Sequence, residues 1–235
     1  MTILCIIGPT ASGKTAAAAE TALRFGGEVV SCDSVQIYRG FDVGTAKPSA
    51  GERLGVPHHM LDVAEPEEEW SAGRYARAAR VCVEDVLSRG KLPVVTGGSG
   101  FYLRALTDGL TGLPPAPADW SFVLLGLHPP RGVLEQRIRE RAAAMLRNGL
   151  IEETRALLRR GVPEDCPPMR SIGYLQARAV LNGTLEPERA GKEIALRTRQ
   201  YAKRQRTWFF NQTRALWLEN FSQNGVETVE TLCSL

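Results

Sequence analysis

Cysteine is sparse in this chain and never paired. Five occur in 235 residues (Cys5, Cys32, Cys82, Cys166 and Cys233), with no CxxC spacing among them. That excludes a disulfide scaffold and a thiolate zinc knuckle. Histidine is sparser still, at three. His58 and His59 are adjacent, so on a strand they point to opposite sides and make a poor metal pair. No further Cys or His stands at ligand spacing, and the isolated His128 reads as structural. No apolar run approaches the length of a membrane span, and the N-terminus has neither a charged leader nor a signal-length apolar stretch. Repeats and low-complexity tracts are also lacking. What remains is the profile of a cytoplasmic protein with reduced, mostly buried thiols. Its hydrophobic fraction of 43% is enough to fill the core of one α/β domain.

Against these absences stands Gly8-Pro9-Thr10-Ala11-Ser12-Gly13-Lys14-Thr15, a match to GxxxxGK[ST]. The apolar run Ile3–Ile7 precedes it and a stretch of helix formers follows, so the motif sits where a strand turns into a helix. Glycines let backbone N–H groups converge on phosphate oxygens, and the helix N-terminus adds its positive dipole end. Lys14 brings a mobile positive charge, and Thr15 a hydroxyl suited to magnesium.

Strand-like runs recur at 3–7, 28–32, 59–63, 92–96, 122–127 and 215–218. Helical patterns at 14–25, 72–89 and through 131–209 separate most of them. The alternation predicts an α/β fold, a parallel sheet with helices on both faces. The clearest break is the Gly/Pro-rich segment 109–119, read as a linker into the last core strands. A single domain over residues 1–220 is expected, followed by a polar, loosely packed tail at 221–235.

Net charge is only +3, yet Arg131 to Arg206 holds 17 Lys/Arg against 9 Asp/Glu, which suits either an anionic partner or a solvated helix surface. A long helix is predicted from Pro187. Ile194, Thr198, Tyr201, Gln205 and Trp208 share its inward face by spacing. Arg199, Lys203 and Arg206 share another, a stripe able to hold a diphosphate or an RNA backbone, or simply an exposed basic face.

A phosphate loop alone does not name a reaction. Open α/β sheets bind ligands at the C-terminal edges of their strands. The second strand ends in Asp33-Ser34-Val35-Gln36, where a carboxylate could take a proton, help hold magnesium, or merely cap the strand. Gln36 carries the donor and acceptor that suit a base edge. The fourth strand ends in Gly97-Gly98-Ser99-Gly100, a second glycine turn, and Ser99 could face phosphate or acceptor. Two such turns on one sheet suggest a cavity between them.

GPTASGKT, DSVQIY, GTAKP, HHMLD, GGSGFY, MRSIGY and TRQYAKRQRTWF occur in that order. Together they resemble the tRNA dimethylallyltransferase (tRNA isopentenyltransferase) family, from about Ile3 to Trp208. The resemblance implies a P-loop-kinase-like core with extra C-terminal helices. The implied activity is transfer of a dimethylallyl group from dimethylallyl diphosphate to N6 of an adenosine beside the tRNA anticodon, with Mg2+ held partly by Thr15. Asp33, Ser99 and Lys14 are then the catalytic candidates. Gly8 through Thr15, with Arg199 and Lys203, are candidates for the diphosphate, and Arg204 for diphosphate or RNA. Asp33, Ser34, Val35, Gln36 and Ser99 are candidates for the tRNA. Ser99 replaces the threonine usual in the family and keeps its hydroxyl.

One departure is large. Most bacterial relatives carry a helical insertion after the leucine-proline turn that grips the anticodon stem, and here residues 113–121 pass almost directly into the next strand. The expected partners are a tRNA anticodon stem-loop and dimethylallyl diphosphate, bound by a monomer. The rival readings are an adenylate isopentenyltransferase acting on free AMP, ADP or ATP, which also lacks the insertion, and a P-loop small-molecule kinase.

Overall fold

The computed structural model describes residues 1–233. Six strands form one all-parallel sheet: β1 (Thr2–Ile7), β2 (Glu28–Ser31), β3 (His58–His59), β4 (Pro93–Gly97), β5 (Ser121–Leu127) and β6 (Leu216–Leu218), in the spatial order β3-β2-β4-β1-β5-β6. The apolar runs of β1, β2 and β4 are continuous because both faces of the sheet are covered. On one face Ile3, Cys5, Val30 and Val95 pack under α2 (Ala72–Ser88) and α3 (Gly100–Thr107). On the other, Leu4, Ile6, Val29 and Leu125 pack under α1 (Lys14–Arg24). The helix starts follow local chemistry: the Ser71 hydroxyl caps α2 by accepting from Arg74 N–H at 3.1 Å.

A third apolar cluster lies off the sheet. It joins Phe41 and Tyr38 from the segment after β2 to α4 (Arg131–Arg147), α5 (Leu150–Arg159), α6 (Tyr174–Leu181) and the long α7 (Pro187–Gln212). These are the extra C-terminal helices. Pro187 occupies the first turn of α7, where its missing N–H costs nothing.

The structure differs from the sequence expectations in two places. The run at 59–63 pairs as a strand only through His58 and His59, because Met60 (φ 61°) and Asp62 (φ 54°) turn left-handed. Asp62 is instead drawn into an ion pair with Lys47 at 2.6 Å. The tail is not loose either. Residues Gln223–Cys233 form a helix, α8. Its Val229 and Cys233 are buried in the α1 cluster, and Glu230 pairs with Arg24 at 3.2 Å. Apolar residues at helical spacing outweigh the polar average of the segment.

Between α3 and β5 the chain takes the short route expected. Leu110 and Leu113 pair across a tight turn, and the N-terminal amine donates to Asp119 O at 2.6 Å beside the start of β5.

Candidate active site

The glycine loop connects β1 to α1 at the C-terminal edge of the sheet. Gly13, at φ 96°, caps α1 in the left-handed region that a side chain rarely adopts, and α1 begins at Lys14. The loop is braced from within and without: Ser12 N–H donates to Pro9 O at 3.2 Å, and Arg137 of α4 donates to Ser12 O at 3.2 Å. Lys14 Nζ reaches back to Pro9 O at 3.2 Å.

A cavity of about 350 Å³ opens against this loop. Thr10, Lys14 and Thr15 line it, together with Asp33, Ser34, Val35 and Gln36. Asp33 is held by an Asx turn, its Oδ1 accepting from Val35 N–H at 2.9 Å and Gln36 N–H at 3.2 Å. One carboxylate oxygen makes the turn while the residue also lines the cavity.

The electrostatics converge on that carboxylate. Burial, aided by the Arg141 charge, brings the Lys14 ammonium down to about 8 from its ordinary 10.5, with Asp33 opposing the fall. Burial likewise lowers Arg141, again opposed by Asp33. The Tyr201 phenol is pushed up to about 12, first by burial and then by the Asp33 charge. Asp33 thus sits within the field of two cations and a phenol across one desolvated space, an arrangement typical of reacting sites.

Ser99 fronts an adjoining cleft that shares Ser34, Tyr201, Arg204 and Gln205 with the main cavity. Gln36 is placed in the cavity but its amide nitrogen is committed, donating to Thr45 O at 3.1 Å and Ala46 O at 3.2 Å. That leaves its carbonyl as the group with capacity toward a ligand. Arg199 and Lys203 are not brought to the phosphate loop. They line a separate groove between α4 and α7, with His128 and Arg131. The reason is geometric: Thr198, Tyr201 and Gln205 turn into the cavity, which sends the Arg199–Lys203 stripe around the helix and away from it.

The guanidinium groups that do line the cavity are Arg141, Arg170 and Arg204. Arg141 was hidden by the general basicity of its helix. Arg170 stood within the MRSIGY motif, and Arg204 beside the stripe. Glu153 of α5 carried no sequence signal. Its carboxylate accepts from Asp42 N–H at 3.1 Å, Val43 N–H at 2.9 Å and Gly44 N–H at 3.3 Å, and from the Tyr174 hydroxyl. Gly44 and Thr45 line the cavity, so this contact links the GTAKP and SIGY segments and shapes one wall.

No group of three or more His, Cys, Asp or Glu that could hold a metal exists among the described residues. A magnesium ion that keeps its waters and binds through phosphate oxygens needs no such cage. Thr15, at the head of α1 and on the cavity wall, fits that mode.

The fold and cavity define an α/β protein whose glycine-loop cavity is also lined by a carboxylate, Asp33. A family model described as IPP transferase matches residues 36–121 and 113–212. A tRNA dimethylallyltransferase of Solibacter usitatus is 36% identical over 297 aligned positions, covering 98% of this chain and 96% of the relative. That of Myxococcus xanthus is 38% identical, covering 91% of each chain. The crystal structure of a tRNA delta(2)-isopentenylpyrophosphate transferase from Staphylococcus epidermidis superposes with a TM-score of 0.90 at 28% identity, covering 99% of both chains. The chain belongs to the IPP transferase family. The two stretches of the family match meet at 113–121, and the 297 aligned positions exceed the 235 residues present. The Solibacter relative thus carries tens of positions with no counterpart here.

Proposed function

We propose that this protein transfers the dimethylallyl group of dimethylallyl diphosphate to N6 of the adenosine adjacent to the anticodon, in tRNAs that read codons starting with U. The observation that carries the reading is that Asp33 shares one cavity with Lys14 and Arg141 and acts on the charge of both. The names of its relatives support tRNA as the acceptor.

The adenine N6 lone pair is delocalised into the ring, so the amine is a weak nucleophile. As N6 bonds to the allylic carbon, the carbon–oxygen bond to diphosphate breaks and the electron pair leaves with the diphosphate. The N6 proton passes to Asp33, whose turn fixes it at the cavity wall. Lys14 and the loop amides face the charge that develops on the leaving oxygens. Magnesium, held through Thr15 and the diphosphate oxygens, supplies further charge neutralisation when bound. The base leaves the anticodon stack to enter the cavity, where Ser34, Val35 and the Gln36 carbonyl offer contacts; unstacking costs a few kcal/mol, least in a single-stranded loop.

We assign the catalytic unit to residues 1–220, acting as a monomer. A cytoplasmic setting suits the five free cysteines. The deciding assay supplies labelled dimethylallyl diphosphate and magnesium with either an A-rich anticodon stem-loop or AMP. Label in the stem-loop supports the proposal. Label only in AMP moves the assignment to the adenylate enzymes, and turnover of ATP in place of the prenyl donor moves it to a kinase.

A further inference from the structure

Gln205 of α7 is 7% exposed, and both ends of its amide are used. Its Oε1 accepts the backbone N–H of Thr10 in the phosphate loop at 2.8 Å. Its Nε2 donates to the carbonyl of Gly98 in the second glycine turn at 2.9 Å. One side chain therefore spans the two turns that end β1 and β4. The fit is close enough to dictate a neighbour, because a β-carbon at Gly98 would lie 2.2 Å from Gln205 Nε2. The same residue borders both the main cavity and the Ser99 cleft.

The Thr10 amide belongs to the glycine loop, whose backbone N–H groups are the ones assigned to the anion in the transferase reading. Here it is turned to Gln205 instead. Gly98 immediately precedes Ser99, whose hydroxyl accepts from Ser34 N–H at 3.0 Å beside Asp33. The chain of contacts runs from the glycine loop, through one buried amide, to the β4 turn, whose Ser99 in turn holds the β2 edge that carries Asp33.

We propose that Gln205 is a positioning residue, a strut that fixes the phosphate loop relative to the Ser99–Ser34–Asp33 edge so that donor and acceptor meet at reacting distance. This rests on the transferase reading above. An amide suits the task because the bridge needs one acceptor and one donor on a single planar group. Displacements of about 1 Å at a reacting pair cost on the order of 100-fold in rate, so a strut here acts on turnover as well as on binding.

The substitutions that test it are Gln205→Glu and Gln205→Leu, each compared with the unsubstituted protein across pH. Protonation of the carboxyl introduced by the first restores a donor beside the acceptor, which leucine can never supply. At pH 8 both Q205E and Q205L are expected to lose on the order of tenfold or more in kcat, with smaller changes in KM. As pH falls toward 5.5, Q205E recovers relative to the unsubstituted protein and Q205L does not. The ionisable groups on the same walls are Tyr201 and Arg204 of α7, Arg141 of α4, Lys14 of α1, His58 of β3, Arg170 and Asp33. Taking each rate as a ratio to the unsubstituted protein cancels their titration. Calorimetric binding of inorganic pyrophosphate with magnesium gives a readout independent of prenyl transfer, and the same pH-selective recovery is expected there. Unchanged kcat and pyrophosphate affinity in both variants, or equal losses in both at every pH, overturns the strut. Absence of prenyl transfer by the unsubstituted protein, together with pH-selective pyrophosphate binding in Q205E, would instead count against the transferase reading alone.

Discussion

The Ser99 hydroxyl accepts the Ser34 backbone N–H at 3.0 Å, and the two hydroxyl oxygens lie 3.4 Å apart. This contact joins the edges of β4 and β2 directly beside Asp33. It also explains how serine serves where the family usually has threonine, because the bond needs the oxygen and not the methyl group.

Removing that oxygen leaves the Ser34 N–H without its partner. Ser99→Ala is expected to lower kcat/KM by about tenfold, the equivalent of about 1–2 kcal/mol for one hydrogen bond of this kind. Ser99→Thr is expected to retain activity. Steady-state kinetics with a stem-loop acceptor, alongside thermal melts to show that both variants fold, provide the check.

With Lys14 assigned to the diphosphate, donor binding is expected to depend on pH in a defined direction. Its ammonium, at about 8, is charged below that value and neutral above it. Pyrophosphate affinity is therefore expected to be full below pH 8 and to fall as pH rises through it. Lys14→Met should bind weakly with no such fall. The ratio of the two affinities, measured by calorimetry, cancels the titration of the ligand itself. Fold stability moves the other way. Between about pH 8 and 10.5 the unfolded chain holds the proton more tightly than the native one, so Lys14 contributes rising stability with rising pH there.

The short passage through 113–121 bears on RNA. For every backbone phosphate left unpaired the slope of log K against log salt is shallower by roughly 0.7 to 0.9. This protein is expected to bind an anticodon stem-loop more weakly, and with a shallower salt slope, than an insertion-bearing relative such as the Solibacter enzyme. Equal affinity and slope in parallel salt titrations would contradict this.

The sheet was legible because its signals are local. Apolar runs bounded by glycine- or proline-bearing turns mark β1, β2, β4 and β5, and the phosphate loop declares itself by spacing. The run at 59–63 misled because it has the apolar composition of a strand, while the turn at Met60 and the Lys47–Asp62 pair depend on residues distant in sequence. Helical spacing correctly grouped Tyr201 with Gln205 and Arg199 with Lys203. It could not say which group meets the phosphate loop, since that depends on how α7 docks on the sheet edge. Contacts of the longest reach stayed invisible: Thr10 with Gln205 spans 195 residues, and Gly98 with Gln205 spans 107.

The proposed mechanism gives the N6 proton to Asp33, and replacing that residue is the most direct test. Asp33→Ala should lose prenyl transfer to the stem-loop by orders of magnitude in single-turnover assays, while pyrophosphate still binds the loop with magnesium. Transfer at near-normal rate by that variant would contradict the account, because no proton acceptor would then be needed at that position.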